Sequence, residues 1–194
     1  MDDLLFWLYT LGFVLSALWA WLLTPAVKRV ALERGWMDDP SDSRKIHSEP
    51  MPRVGGLAII SACAIGLAYF GILQFGLPPA LSSSISLPPS VLVAGALTMA
   101  AVGLYDDLNY LKFEHKFVMQ IVVASIVINA GYQIDALPIP FIGGTLDLGW
   151  LGVPLTLAWI VGVINAVNLL DGMDGLAAGT SLITFGSLAA VYAV

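Results

Sequence analysis

Residues 165–179, NAVNLLDGMDGLAAG, set Asn165, Asn168, Asp171 and Asp174 three apart at the end of a run without charge. Ionisable groups at membrane depth are costly, about 2.5 to 3.5 kcal/mol at a helix centre, so such a cluster marks a site more often than an accident. Each three-residue step turns about 60° around a helix, which places Asn165, Asn168 and Asp171 on one polar stripe. Gly172 and Gly175 flank Asp174 and predict a helix break there, with Asp174 in a tight turn or capping the next helix. Oxygen donors of this type suit a hard divalent cation. Helix-to-helix hydrogen bonding is the competing structural role, above all for Asn165.

Two further groups carry chemistry. Asp106 and Asp107 close an apolar run and are followed by Lys112 and Lys116. Helix C-termini favour cations by a few tenths to about 1 kcal/mol, so capping is not the expected reason for carboxylates there. Adjacent aspartates at a membrane boundary suit Mg2+ or a proton acceptor for a phosphate nucleophile; two solvated interfacial charges are the alternative. Lys116 opens the next helix, where it either meets substrate or snorkels to the interface, and His115 reads as interfacial. The third group is DPSDSRKIHSEPMPRVGG, residues 39–56. Its prolines stiffen a loop carrying Arg44, Lys45, His47 and Arg53, donors matched to phosphate or diphosphate oxygens. Anionic head groups compete as partners for Arg44 and Lys45. Gly55 and Gly56 open a helix with accessible backbone N–H groups.

The elements that position these residues follow from composition. With 58% hydrophobic and 11% charged residues and a mean hydropathy of +0.86, the chain is expected to be a polytopic membrane protein. The net charge of −6 says little as a whole-chain sum, because in a membrane protein the side on which each charge lies matters more, and no nucleic-acid partner is expected. The single cysteine, Cys63, lies in an apolar run and permits no intrachain disulfide. Met1, Asp2 and Asp3 lack the basic flank of a secretory signal, so the first apolar run is expected to be a retained span. The sequence stops inside an apolar stretch, and an N-terminal piece of a longer protein is the expectation.

Runs of about 17 to 20 apolar residues predict spans over residues 4–24, 57–75, 90–105, 117–134, 154–170 and 176–194. The pairs Pro78–Pro79 and Pro88–Pro89 bracket a Ser-rich loop. The expected fold is therefore all-α, a single polytopic transmembrane bundle of about six helices over residues 1–194. All eight Lys and Arg residues fall in the first and third loops, which short-loop charge bias assigns to the cytoplasm, leaving the N-terminus outside. Residues 135–153 read as a small outer hairpin. The three polar groups then share the cytoplasmic face. That gathering suits phosphoryl transfer between a water-soluble nucleotide and a lipid phosphate.

Three strings, RKIHSEPMPRVGG, GLYDDLNYLKFEHK and NAVNLLDGMDGLAAG, resemble in order and spacing the polyprenyl-phosphate N-acetylhexosamine-1-phosphate transferases. That membrane superfamily also contains the phospho-MurNAc-pentapeptide transferases. PRVGG in place of a TPTMGG run looks like the branch that uses UDP-GlcNAc and undecaprenyl phosphate. The resemblance implies transfer of a sugar 1-phosphate, GlcNAc-1-phosphate in this branch, from a UDP-sugar to undecaprenyl phosphate. UMP is released, and synthesis of a cell-envelope polysaccharide begins at the cytoplasmic face of a bacterial inner membrane. It implies Mg2+, with Mn2+ as a substitute, held by Asp106, Asp107 and Asn168. Asp106, Asp107, Asp171 and Asp174 take the catalytic positions, with Asp106 the one that deprotonates or orients the lipid phosphate; Arg44, Lys45, His47, Arg53, Lys116 and Asn165 take the substrate. A homodimer is compatible with it.

The family's later spans, its GDxGS-type motif and its His-rich loop do not occur in this sequence, so the 194 residues alone are expected to be inactive. A noncatalytic remnant of such an enzyme and a small transporter are the other readings. A transporter would place its polar groups near the midplane and show inverted repeats, and neither pattern is evident here.

Overall fold

The computed structural model describes residues 2–38, 51–83, 85, 87–139, 143–171 and 175–192. Its helices are α1 (Asp2–Arg34), α2 (Gly56–Gly76), α3 (Pro79–Ser82), α4 (Ser90–Asn109), α5 (Phe113–Asn129), α6 (Gly152–Leu170) and α7 (Leu176–Tyr192). Two small antiparallel pairs join them, β1 (Met37–Asp38) with β2 (Met51–Pro52), and β3 (Ala136–Ile139) with β4 (Gly144–Asp147). The predominantly helical expectation is met. Four helical stretches, Asp3–Arg34, Gly56–Gly76, Ser90–Asn109 and Gly149–Leu170, are long and apolar enough to cross a membrane. Leu176–Val191 in α7 is a shorter apolar helix, while α5, where a span was expected over 117–134, has 17 residues with Glu114, His115 and Lys116 in its first turn and is not among the long apolar helices. The chain's own contacts divide it into two compact units, Met1–Lys112 and Phe113–Val194.

In the first unit α1 runs ten residues past its expected end. Pro25 lies inside it and removes one backbone donor, but the residues after it, AVKRVALER, are mostly strong helix formers and carry the helix on. It stops at Gly35, with φ 70, where Trp36 N–H donates to Ala31 O at 2.9 Å and Gly35 N–H to Leu32 O at 3.4 Å. That pair of bonds is a Schellman motif. Strands β1 and β2 follow, pairing Met37 with Pro52 and Asp38 with Met51, and Arg53 N–H donates to Trp36 O at 3.0 Å. Two-residue strands leave no periodic pattern, and this pair was not expected from the sequence.

Helices α1 and α2 pack antiparallel. Tyr69 Oη donates to Leu8 O at 3.1 Å, and Trp19 Nε1 donates to Ser61 Oγ at 3.3 Å. Between these bonds a Cβ at Gly66 would stand 2.8 Å from Ser16 Oγ, so the glycine lets the two helices approach closely. Interhelical bonds between small and polar residues are the usual glue where lipid supplies no hydrophobic drive. Helix α4 continues four residues beyond its expected end, to Asn109.

In the second unit α5 begins at Phe113 and ends at Asn129, whereas the apolar run predicted 117–134. The shift has two causes. Glu114 favours the first turn of a helix, and Gly131, with φ 94, ends it through bonds from Gly131 N–H to Ile128 O and from Tyr132 N–H to Val127 O. Gln120, Val123, Ala124, Val127 and Ile128 form the buried face of α5 at helical spacing. The predicted hairpin is present, with Ala136 opposite Asp147 and Leu137 opposite Leu146. It delivers the chain to Gly152, where a Cβ would stand 2.6 Å from Ile134 O. Beside it Ile134 N–H donates to Thr156 Oγ1 at 2.8 Å. These contacts lock the start of α6 against the segment that leads from α5 into the hairpin.

Candidate functional site

Of the basic loop, Arg44, Lys45 and His47 lie outside the described residues, as does Asp174. Arg53 is described and half-buried. Its Cζ lies 3.6 Å from the centre of the Tyr110 ring, a cation–π contact that brings the start of α2 to the end of α4. Val54 next to it is 1% exposed and, through its carbonyl, accepts a bond from Leu57 N–H at 3.1 Å, so the helix start is anchored. The loops after α1, before α2 and after α4 therefore meet at one end of the first unit. Gly55 and Gly56 stand at the first positions of α2, as expected.

Asp106 and Asp107 are half-buried in the last turn of α4. Asp106 Oδ1 accepts a hydrogen bond from Leu111 N–H at 2.8 Å, and the Asp106 carbonyl accepts one from Tyr110 N–H at 2.9 Å. The expectation that capping does not account for these carboxylates is corrected for Asp106. Its carboxylate reaches beyond the helix end to an N–H in the following turn, a contact that helix-dipole reasoning does not anticipate. One oxygen of Asp106 is thus engaged in holding the turn, and Asp107 carries a second carboxylate beside it. Lys112 is exposed.

In the second unit Asn165 Nδ2 donates to Gln120 Oε1 at 2.7 Å and to Val161 O at 2.8 Å. Both amide hydrogens are accounted for, so contact with a substrate would fall to Oδ1. The Asn165–Gln120 bond sets the early part of α5 against the late part of α6. Lys116, one turn before Gln120, and Asn168 and Asp171, one and two turns after Asn165, consequently share one end of that helix pair. Lys116 is half-buried; Asn168 and Asp171 are exposed. The stripe thus winds off the α5 face after its first member. Asp171 caps α6, its N–H donating to Val167 O at 3.1 Å, and α7 starts after Gly175, with φ 76. His115 is exposed, in keeping with an interfacial residue.

Two residues absent from the sequence reading belong to these groups. Tyr110 left no signal, because an aromatic residue is not the expected occupant of its left-handed backbone. Gln120 was visible as an uncharged polar residue in an apolar run, and at 6% exposure it is one of the buried polar groups of the described residues.

Among the described residues no group of three or more His, Cys, Asp and Glu side chains stands ready to hold a metal. Mg2+ does not need one, since it binds through one or two carboxylates and retains water and substrate oxygens. Both acidic groups fit that requirement. Each lies at a helix C-terminus, where the unpaired carbonyls and the helix dipole favour positive charge. Asp106 and Asp107 would supply the carboxylates in the first unit, and Asp171 with the Asn168 amide oxygen those in the second.

A family model described as glycosyl transferase family 4 matches residues 89–194. A Bacillus subtilis protein named probable undecaprenyl-phosphate N-acetylglucosaminyl 1-phosphate transferase is 38% identical over 178 residues, 92% of this chain and 46% of the relative. A decaprenyl-phosphate N-acetylglucosaminephosphotransferase of Mycolicibacterium smegmatis is 39% identical over 173 residues, 87% of this chain and 41% of that one. A phospho-N-acetylmuramoyl-pentapeptide-transferase of Listeria monocytogenes is 28% identical over 199 residues, 94% of this chain and 57% of that one. The chain spans about half the length of these curated relatives. No solved structure matches it.

Proposed function

Because the chain belongs to glycosyl transferase family 4, we propose that the whole protein transfers GlcNAc-1-phosphate from UDP-GlcNAc to undecaprenyl phosphate at the cytoplasmic face of the membrane. The observation that carries this reading is the similarity to two N-acetylglucosamine phosphotransferases at 38% and 39% identity, over 92% and 87% of this chain. In the reaction an oxygen of the lipid phosphate attacks the phosphorus attached to the sugar, and the bond to UMP breaks. Product is a lipid diphospho-sugar.

Each residue group has a task in this scheme. Asp106 and Asp107 accept or direct the proton of the lipid phosphate, and the bonds of Asp106 hold the turn that carries them. Arg53 neutralises diphosphate oxygens together with Arg44, Lys45 and His47. Lys116, Asn168 and Asp171 serve the nucleotide side of the reaction, with Asp174 next in the sequence motif. Mg2+, when bound, would offset charge on the transferring phosphoryl group, the main catalytic term for this class of reaction. Support for the cytoplasmic assignment comes from charge. All eight Lys and Arg residues fall within residues 28–53 and 112–116, although Lys28, Arg29 and Arg34 belong to the end of α1 and Lys116 to the first turn of α5 rather than to the expected loops. The Arg53–Tyr110 contact brings the start of α2 to the end of α4 at one end of the first unit.

The test is UMP release by the full-length gene product supplied with UDP-GlcNAc, undecaprenyl phosphate and Mg2+. Activity that disappears on chelation and returns with Mg2+ supports the reading. No UMP from that mixture, with protein folded in detergent, would remove it.

A further inference from the structure

Tyr110 has φ 52 and ψ 76, the one positive φ among the described non-glycine residues. A side chain in this region costs about 1 to 2 kcal/mol, and glycine is the usual occupant just after a helix. Strain of this kind persists only where the surroundings hold it. Burial is not the compensation, since Tyr110 is 70% exposed. What holds the residue is Asp106, whose carbonyl and carboxylate take the N–H groups of Tyr110 and Leu111. What the residue holds in turn is Arg53, 3.6 Å above its ring.

That distance fixes the orientation. At 3.6 Å the planar guanidinium has to lie nearly flat on the ring, because an edge-on approach would keep its central carbon farther out. All five N–H groups lie in the guanidinium plane, so in a flat stack they point sideways, away from the ring. A glycine at position 110 would relax the backbone and remove the platform. Lysine at position 53 would keep the charge and lose the planar stack.

We propose that Tyr110 is a positioning residue. Its ring, set by the left-handed turn and by Asp106, is a platform that presents the N–H edge of Arg53 to an anionic phosphate group. The identity of that anion as a sugar-nucleotide diphosphate rests on the function proposed above; the platform rests on the geometry.

Full-length enzyme carrying Tyr110→Gly, Tyr110→Phe, Arg53→Lys or Tyr110→Gly with Arg53→Lys tests this. Tyr110→Gly should melt no lower than wild type, because glycine suits the backbone, while KM for UDP-GlcNAc rises about tenfold and kcat stays within about threefold. Tyr110→Phe keeps the ring and should hold KM within about twofold. In the double variant the glycine should add nothing to the effect of Arg53→Lys. A second readout needs no turnover: phenylglyoxal modification of Arg53, followed by peptide mass spectrometry, should accelerate in Tyr110→Gly and not in Tyr110→Phe. Unchanged KM and unchanged modification in Tyr110→Gly overturn the proposal, as does a loss in Tyr110→Phe equal to that in Tyr110→Gly. If wild type releases no UMP, the modification rates alone decide the platform, and the failure belongs to the sugar-nucleotide reading.

Discussion

At the end of α4, Asp106 holds two backbone N–H groups and the turn beyond it carries a stacked Tyr110–Arg53 pair. At the end of α6 the Asn165–Gln120 bond to α5 lies two turns back, and Asn168 and Asp171 stand exposed beyond it. The two ends share a chemistry, carboxylate at the negative pole of a helix, and differ in how firmly the carboxylate is placed. A group that must be aimed benefits from a fixed turn, because catalytic geometry lost by about 1 Å costs on the order of 100-fold in rate. A group that meets a mobile, water-soluble ligand tolerates exposure.

The strongest way to break this contrast is to neutralise each end while keeping its shape. Asp107→Asn and Asp171→Asn should each lower UMP release by the full-length enzyme about 100-fold or more, the scale of removing one electrostatic contact to the transition state. An end whose variant keeps wild-type activity would drop out of the site.

Stability should separate the ends next. Asp106→Ala removes a charge-assisted bond to Leu111 N–H and should cost about 1.5 to 3 kcal/mol in denaturation of the detergent-solubilised protein. Asp106→Asn keeps an acceptor oxygen and should cost less, and Asp171→Ala should leave the melting temperature unchanged. Equal loss at both ends would mean that the α6 end is as firmly built as the α4 end.

A smaller effect is expected at the tie inside the second unit. Gln120→Leu should cost about 0.6 to 1.7 kcal/mol, the range of interhelical hydrogen bonds in membranes. Gln120→Leu combined with Asn165→Leu should recover part of that loss, because neither partner is then left unsatisfied. A double variant as unstable as the sum of the singles would show that the pair does not act as one contact. Smallest of all, His115→Gln should change UMP release by less than about twofold, as expected of an exposed residue away from special features.

The legibility of these features in the sequence follows the range of the forces that make them. The ends of α2 and α6 agree with the expected spans to within two residues, since apolar runs and flanking Gly and Pro are local signals. The overrun of α1 past Pro25 was hidden because hydropathy reports the membrane boundary and helix propensity ignores it. The early stop of α5 was written in Gly131 but lay inside a run that hydropathy treats as continuous. Asn165 was read both as a substrate contact and as helix glue, and its bonds to Gln120 and Val161 realise the second role. The Arg53–Tyr110 stack joins residues 57 positions apart in the sequence, and one of them sits in a conformation its side chain disfavours; no local pattern encodes such a pair.

The length of α5 reaches beyond the site. Seventeen residues rise about 25 Å, against a hydrocarbon thickness of about 30 Å. For α5 to cross a membrane, as the apolar run at 117–134 leads one to expect, the shortfall would have to be met by thinning of the surrounding bilayer or by reach of flanking side chains, at fractions of a kcal/mol per Å. Lys116, in the first turn of α5, is one of those flanking residues. In that case the acyl-chain length of the host lipid would act on a proposed substrate-binding residue, and reconstitution in vesicles of graded thickness would read it directly.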